Sequence, residues 1–261
     1  MVVTKKAVVL VFLLLTPFCW AKTPEPLVVA SALWPPNFVN EAGDGIYQQI
    51  LREIYPNYAL QYVYTTYARS KHMVSAGKAD LWLVSYTAEE PWALYPKHAH
   101  DADLIAAVHL KETPWQGISS LTGQPVSWIS EYGFEKYLPQ LQMQYYEVPD
   151  LDVAIKILLA GRIHYVLDDI WGIEAYLQNH PDVKAQMTVQ PFALMKLYPA
   201  FKHTDKGRRL AKQWDKAMAR LIKGRLQTLY RQAGESYLLD DCTRPSNDAK
   251  GLICLDLPNS P

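Results

Sequence analysis

The sequence is poor in cysteine, has no second long apolar run, and carries no excess of either charge. Cysteine occurs three times in 261 residues, at Cys19, Cys242 and Cys254. That is too few for a disulfide-built scaffold or a cysteine-rich zinc module. Lys plus Arg and Asp plus Glu number 26 each. The chain therefore lacks the basic surplus that a nucleic-acid-binding surface needs. Beyond Leu15 no apolar run approaches the ~20 residues that span a bilayer. Repeats, low-complexity tracts and long charge runs are also missing. What is present is an ordinary globular mixture, 49% apolar and 20% charged, which excludes a disordered or collagen-like chain. The length fits one large domain or two of about 100–150 residues.

The N-terminus reads as an address. Lys5 and Lys6 precede an apolar run from Ala7 to Leu15, broken by Thr16 and Pro17, and Cys19-Trp20-Ala21 offers small residues at the two cleavage subsites. This layout is that of a secretory signal peptide, residues 1–21, cleaved after Ala21 and directing the chain to the periplasm. The alternative is a lipoprotein acylated at Cys19, which the bulky Phe18 disfavours. Cleavage removes two lysines and leaves a net charge of −2, from 24 basic and 26 acidic residues. It also leaves only Cys242 and Cys254. An even pair in an exported chain is expected to form a disulfide. The bridge closes 13 residues, 242 to 254 inclusive, and such a loop is worth ~3 kcal/mol by chain entropy. With no histidine nearby, two thiols cannot fill a tetrahedral zinc site. Both lie beyond the last long helix, so the bridge is expected to tie down the tail, residues 236–261.

Along the rest of the chain, strand and helix patterns alternate. Strands are predicted at 27–31, 60–64, 80–85 and 104–110, with helices after Asp44-Gly45 and over 69–76, the latter ended by Gly77. A second set starts near Pro114. Its strands are predicted at 126–129, 144–148 and 163–167, with helices from Gly133, after Asp150 and over 170–177. A strand over 194–201, a long amphipathic helix around Leu210 to Ile222, and a shorter one over 226–232 follow. Such alternation implies parallel strands joined by right-handed crossovers, an α/β fold. Two sets imply two lobes, first crossed between Val108 and Trp115.

Four segments carry a resemblance to a known family. They are Trp34-Pro-Pro-Asn-Phe38 with Gly45 to Leu51, Arg69 to Asp80, Ala160 to Asp169, and Leu197 to Lys202 with the following long helix, Gly224 and Leu229-Tyr230. In this order they resemble the type II periplasmic solute-binding proteins, specifically extracellular family 3, which includes polar amino-acid binders. The resemblance spans about residues 26–234. It implies a two-lobed α/β fold with a mainly parallel sheet and flanking helices in each lobe, and two hinge crossings. Lobe 1 is expected at 26–109 and 196–235, and lobe 2 at 113–192. The implied function is capture of a small polar ligand between the lobes by a monomer that presents it to an ABC permease or a membrane sensor.

One departure bears on the ligand. Amino-acid binders of this family carry a Thr-x-x-Arg whose arginine grips the ligand carboxylate. Here the stretch is Tyr86-Thr-Ala-Glu-Glu-Pro-Trp92, and Pro91 falls about where that arginine stands. A subgroup with an arginine early in the helix that leads to the Gly-x-x-Asp strand entry fits better, and Arg69 takes that place.

Candidate ligand-binding residues are Trp34, Arg69, Tyr86, Trp92, Tyr132, Gly133 and Asp169. Trp34 follows a strand end, where open α/β sheets form crevices. Arg69 offers a planar fork to an anion, and Tyr86 and Trp92 offer flat contact area. The backbone N–H groups of Tyr132 and Gly133 would suit an anion at a helix start. Asp169 would accept from an amine, and a helix N-cap is its structural alternative. Trp82 is expected in the core, and Glu89 and Glu90 on a solvated loop. His98-x-His100 is too sparse for a metal site, and no metal or cofactor is expected. The alternative function is an enzyme on the same scaffold, a dehydratase of small carboxylic acids with Glu174 as general acid.

Overall fold

The computed structural model describes residues 23–242 and 252–255. The expected signal peptide lies outside the described residues. The first lobe is built on β1 (Glu25–Ser31), β2 (Tyr58–Tyr64) and β3 (Leu81–Ser85). All three run parallel, in the order β2-β1-β3. Leu27 and Val29 are fully buried on one face of β1. Helix α1 (Ile46–Ile54) covers them with Ile46, Ile50, Leu51 and Ile54, the stripe that the apolar spacing predicted. Its start needs glycine, because a Cβ on Gly45 would lie 2.3 Å from the Phe38 carbonyl oxygen. Gln48 closes the turn by accepting from the backbone N–H of Gly45 and of Asn40 at 3.0 and 3.1 Å. Helix α2 (Tyr67–Ser75) is capped by Thr66 and followed by Gly77 at φ 73°, the left-handed residue expected there.

A short strand β4 (Ala93–Leu94) precedes the first crossing strand, β5 (Asp101–Leu110). The second lobe then repeats the parallel theme with β6 (Pro125–Ile129), β7 (Gln144–Val148) and β8 (Tyr165–Asp169), ordered β8-β6-β7. Helix α3 (Leu151–Leu159) is capped by Asp150, whose side chain accepts from Val153 N at 2.9 Å. Helices α4 (Ile170–Asn179) and α5 (Pro181–Lys184) follow. The helix expected from Gly133 is only a 3-10 turn, Phe134–Lys136. Gly133 sits at φ 64° and Pro139 comes five residues after the turn opens, so continuous helix has no room.

The lobes are joined by β5 and by β9 (Met187–Lys202), one strand of 16 residues rather than the shorter 194–201. They run antiparallel, from Asp101 opposite Leu197 to Leu110 opposite Met187, with one register shift between Ile105 and Ala106. At its ends β9 pairs with β3, and β5 pairs with β8. Two crossings of this kind restrict relative motion to a hinge. The expected fold class is therefore borne out: two lobes, mainly parallel sheets, two crossing strands.

Helices α6 (Asp205–Leu221) and α7 (Arg225–Ala233) return to the first lobe and pack on α1 and β9. Trp214 is buried there and donates its indole N–H to the His98 carbonyl at 2.8 Å. Helix α8 (Leu239–Cys242) and strand β10 (Ile253–Leu255) belong to the tail, and Cys242 is bridged to Cys254. The tail does more than tie down a terminus. β10 pairs in parallel with β9 from Ala193 to Met195, beside the register shift. Cys242 is buried against Ala102 of β5 and Leu194 of β9.

Candidate functional site

Parallel strands in both lobes end at one cleft. β1 leads into Leu33 to Pro36, β3 into Tyr86, β6 into Tyr132, and β8 ends at Asp168 and Asp169. The carboxyl ends of such strands are where open α/β sheets leave crevices. The cavity between them measures about 680 Å³, the size that holds a small organic molecule. The start of β5 supplies its floor with Asp101 and Asp103. These are two residues apart on a strand and so share a face.

Two of the acidic groups are held by tyrosines and two by backbone N–H groups. Asp101 accepts from the Tyr47 hydroxyl at 2.8 Å and from the Ala102 backbone N–H at 2.8 Å. Asp103 accepts from the Tyr86 hydroxyl at 3.1 Å. Asp168 accepts from Asp169 N at 2.8 Å, and Asp169 caps α4 by accepting from Gly172 N at 2.8 Å. Burial pushes Asp101 up to about 7, against the pull of its hydrogen bonds from Tyr230 and Tyr47. Asp103 is raised by burial and then by the charges of Asp169 and Asp101. Asp168 is raised by burial and by Asp169. Desolvation disfavours the ionised carboxylate in each case.

Beside the cleft, Lys71 draws the lobes together. Its ammonium lies 3.3 Å from Glu89, 2.7 Å from Glu90 and 3.1 Å from the Glu131 carboxylate. It also donates to the Glu131 carbonyl at 3.1 Å. Burial pulls Lys71 down, but these three carboxylates outweigh it and hold its pKa above the ordinary value. Glu89, expected in solvent, is 1% exposed. It accepts from the hydroxyls of Ser85 at 2.6 Å and Tyr67 at 2.5 Å. Two further bonds cross between the lobes: Lys136 donates to the Glu89 carbonyl at 3.1 Å and Tyr137 to the Thr87 carbonyl at 2.8 Å.

No protein-family model matches the sequence, and no curated protein matches it. Solved structures do match. The ligand-binding core of GluR0 from Nostoc punctiforme, in complex with L-glutamate, is 17% identical, with a TM-score of 0.60 over 81% of this chain and 100% of that one. A histidine kinase sensor domain with similarity to periplasmic binding proteins reaches a TM-score of 0.64 at 15% identity, over 81% and 97%. An ancestral arginine-binding protein bound to arginine gives 0.59 at 15% identity, over 81% and 99%. The fold is that of the two-lobed periplasmic binding proteins.

Against this binding-protein fold the expected site residues divide in two. Trp34, Tyr86, Tyr132 and Asp169 line the cleft together. Arg69, Trp92 and Gly133 are not among its lining residues. Arg69 is exposed in the first turn of α2. Trp92 packs on the buried Trp82 with ring centroids 5.4 Å apart and donates to Glu90. Gly133 is buried and makes the left-handed entry to its 3-10 turn. His100 is fully buried between the rings of Tyr47 and Trp214. Among the described residues no group of three potential metal ligands occurs.

Sequence reasoning missed Asp101, Asp103, Tyr47 and Tyr67, all lining residues of the cleft. The signal for the first two was present. Asp-Ala-Asp opens a largely apolar strand, and two carboxylates on one face of such a strand carry a desolvation cost that marks a candidate site.

Proposed function

We propose that this chain is a periplasmic solute-binding protein that captures one small polar molecule between its lobes. As a monomer, it then presents that molecule to an ABC-type importer or a membrane sensor. The observation that supports this most is the cavity of about 680 Å³ lined from both lobes, by Trp34 and Tyr86 on one side and Tyr132 and Asp169 on the other. A ligand touching both sides selects the closed state, because the two crossing strands leave a hinge as the main freedom. The proposed lobes are 26–109 with 196–235, and 113–192, with 236–261 as the disulfide-tied tail and 1–21 as a cleaved signal peptide. The neighbours include a ligand-binding core, a sensor domain and an arginine binder, which is the range of roles proposed here.

The role is binding rather than catalysis. Glu174 lines the cleft but is exposed on α4, whereas a general acid active near neutral pH needs a desolvated carboxyl. Mass spectrometry of small molecules released from the purified mature protein tests the proposal, followed by thermal-shift measurement with each candidate. A ligand at 100 times its Kd adds about 2.7 kcal/mol, which is roughly a 5–10 °C rise for a chain of this size. Conversion of the ligand to a product on incubation would assign an enzyme instead.

A further inference from the structure

The side chains of the cleft assign its charge preference, an inference that rests on the binding reading above. Four carboxyls, Asp101, Asp103, Asp168 and Asp169, line the cavity, as do the exposed Glu174 and the half-buried Glu235. Among the described residues lining the cavity there is no lysine, arginine or histidine. The buried cation beside it, Lys71, is already surrounded by Glu89, Glu90 and Glu131. Arg69 is exposed and not a lining residue. An anionic group on a ligand would thus enter a low-dielectric cleft with no positive partner and four carboxyls facing it. A buried, uncompensated anion is strongly disfavoured.

The remaining surface is aromatic. Trp34, Tyr47, Tyr67, Tyr86, Tyr132 and Trp171 supply rings to the cavity. Their negative faces attract a cation within ~6 Å of the ring centre and cover the apolar body of its carrier. We infer that the ligand is a small organic cation, bearing an amine or guanidinium and lacking any carboxylate or phosphate, with its cationic end against Asp103, Asp168 and Asp169. Burial keeps Asp103 and Asp168 above the ordinary carboxylate range. A bound cation supplies a counter-charge that favours the ionised form of these carboxyls. This separates the cleft from one that takes zwitterionic amino acids, which need a cation for the ligand carboxylate as well as an acid for its amine.

Matched pairs that differ only in the carboxylate provide the test. Isothermal titration of the mature protein with agmatine against L-arginine, and with putrescine against L-ornithine, compares ligands of equal reach. At least one decarboxylated amine should bind, and at least 10-fold more tightly than its parent amino acid. L-glutamate and phosphate should not bind. Asp103→Asn should weaken the amine by roughly 30-fold or more. Asp103→Glu, which keeps the charge, should retain most of the affinity, and thermal unfolding of both variants verifies their folding. Equal or tighter binding of an amino acid, or failure of every amine to bind, overturns the cation assignment. If a neutral or anionic molecule binds the cleft instead, the binding reading stands while this inference falls. If none of the cationic, neutral and anionic probes binds and none co-purifies, the binding reading falls with it.

Discussion

Lys71 of one lobe is joined to Glu131 of the other at two points, through the backbone carbonyl and through the carboxylate, both at 3.1 Å. The same ammonium faces the buried Glu89. Its lysine side chain is 5% exposed, against 0% for Glu89 and 52% for Glu131. The Glu131 carboxylate is therefore screened by water, whereas Glu89, and Glu90 at 19% exposure, meet Lys71 largely out of solvent. Removing one partner of a buried pair leaves an uncompensated charge and costs about 3–5 kcal/mol, whereas exposed pairs contribute about 0–1 kcal/mol. Lys71→Met should destabilise by that larger amount in urea unfolding. Adding Glu89→Gln should recover a good part of it, and Glu131→Ala should change stability by less than about 1 kcal/mol.

Asp101 is 4% exposed on a crossing strand, and its acidity makes a pH prediction. A carboxyl raised from 3.8 to about 7 by burial keeps its proton in the folded protein over a range where the unfolded chain has lost it. The folded state thus binds more protons between these values, so this group makes stability fall as pH rises through 7. Asp101→Asn removes that dependence. The stability difference between variant and wild type should grow in favour of the variant by about 2–3 kcal/mol from pH 5 to pH 8. Taking the difference cancels the shared contribution of buried His100, which is held down to about 3. A difference that stays flat with pH would contradict this account of Asp101.

The tail bridge also has a readout beyond global stability. Cys242→Ser should lower stability by up to ~3 kcal/mol without preventing folding. Because β10 pairs with β9 at Ala193 to Met195, backbone amides there and near Ala102 should exchange faster in the variant. Amides of β6 and β7, remote from the tail, should keep their wild-type protection.

Much of the fold was legible because each sheet strand is short, apolar and bounded by a helix signal. Gly77, Asp150 and the α1 stripe fell where expected. β9 was read too short because Thr188, Gln190 and Pro191 interrupt its apolar pattern. A crossing strand paired along its length with β5 tolerates those residues, since tertiary pairing rather than patterning holds it. Trp34, Tyr86 and Tyr132 reach the cleft because each follows a strand end. Arg69 is exposed and not a lining residue, because helix rotation, invisible in sequence, decides which side of α2 meets the cleft. Glu89 looked solvated because its partners Lys71, Tyr67 and Ser85 come from separate elements.

These placements separate two substitutions. With whatever ligand the protein is found to bind, Trp34→Ala should reduce affinity by at least 10-fold while leaving unfolding of the ligand-free protein nearly unchanged. Arg69→Ala should leave affinity within about twofold. Titration calorimetry checks both, and a large loss in the arginine variant would mean that α2 turns toward the ligand on binding.

The structure of the protein in complex with its co-purifying molecule tests the central claim most directly. One ligand per chain is predicted between Trp34 and Asp169, touching residues of both lobes, with the Asp103 carboxyl within hydrogen-bond distance of a ligand nitrogen. A ligand seated on an outer face, or held by one lobe alone, would contradict it.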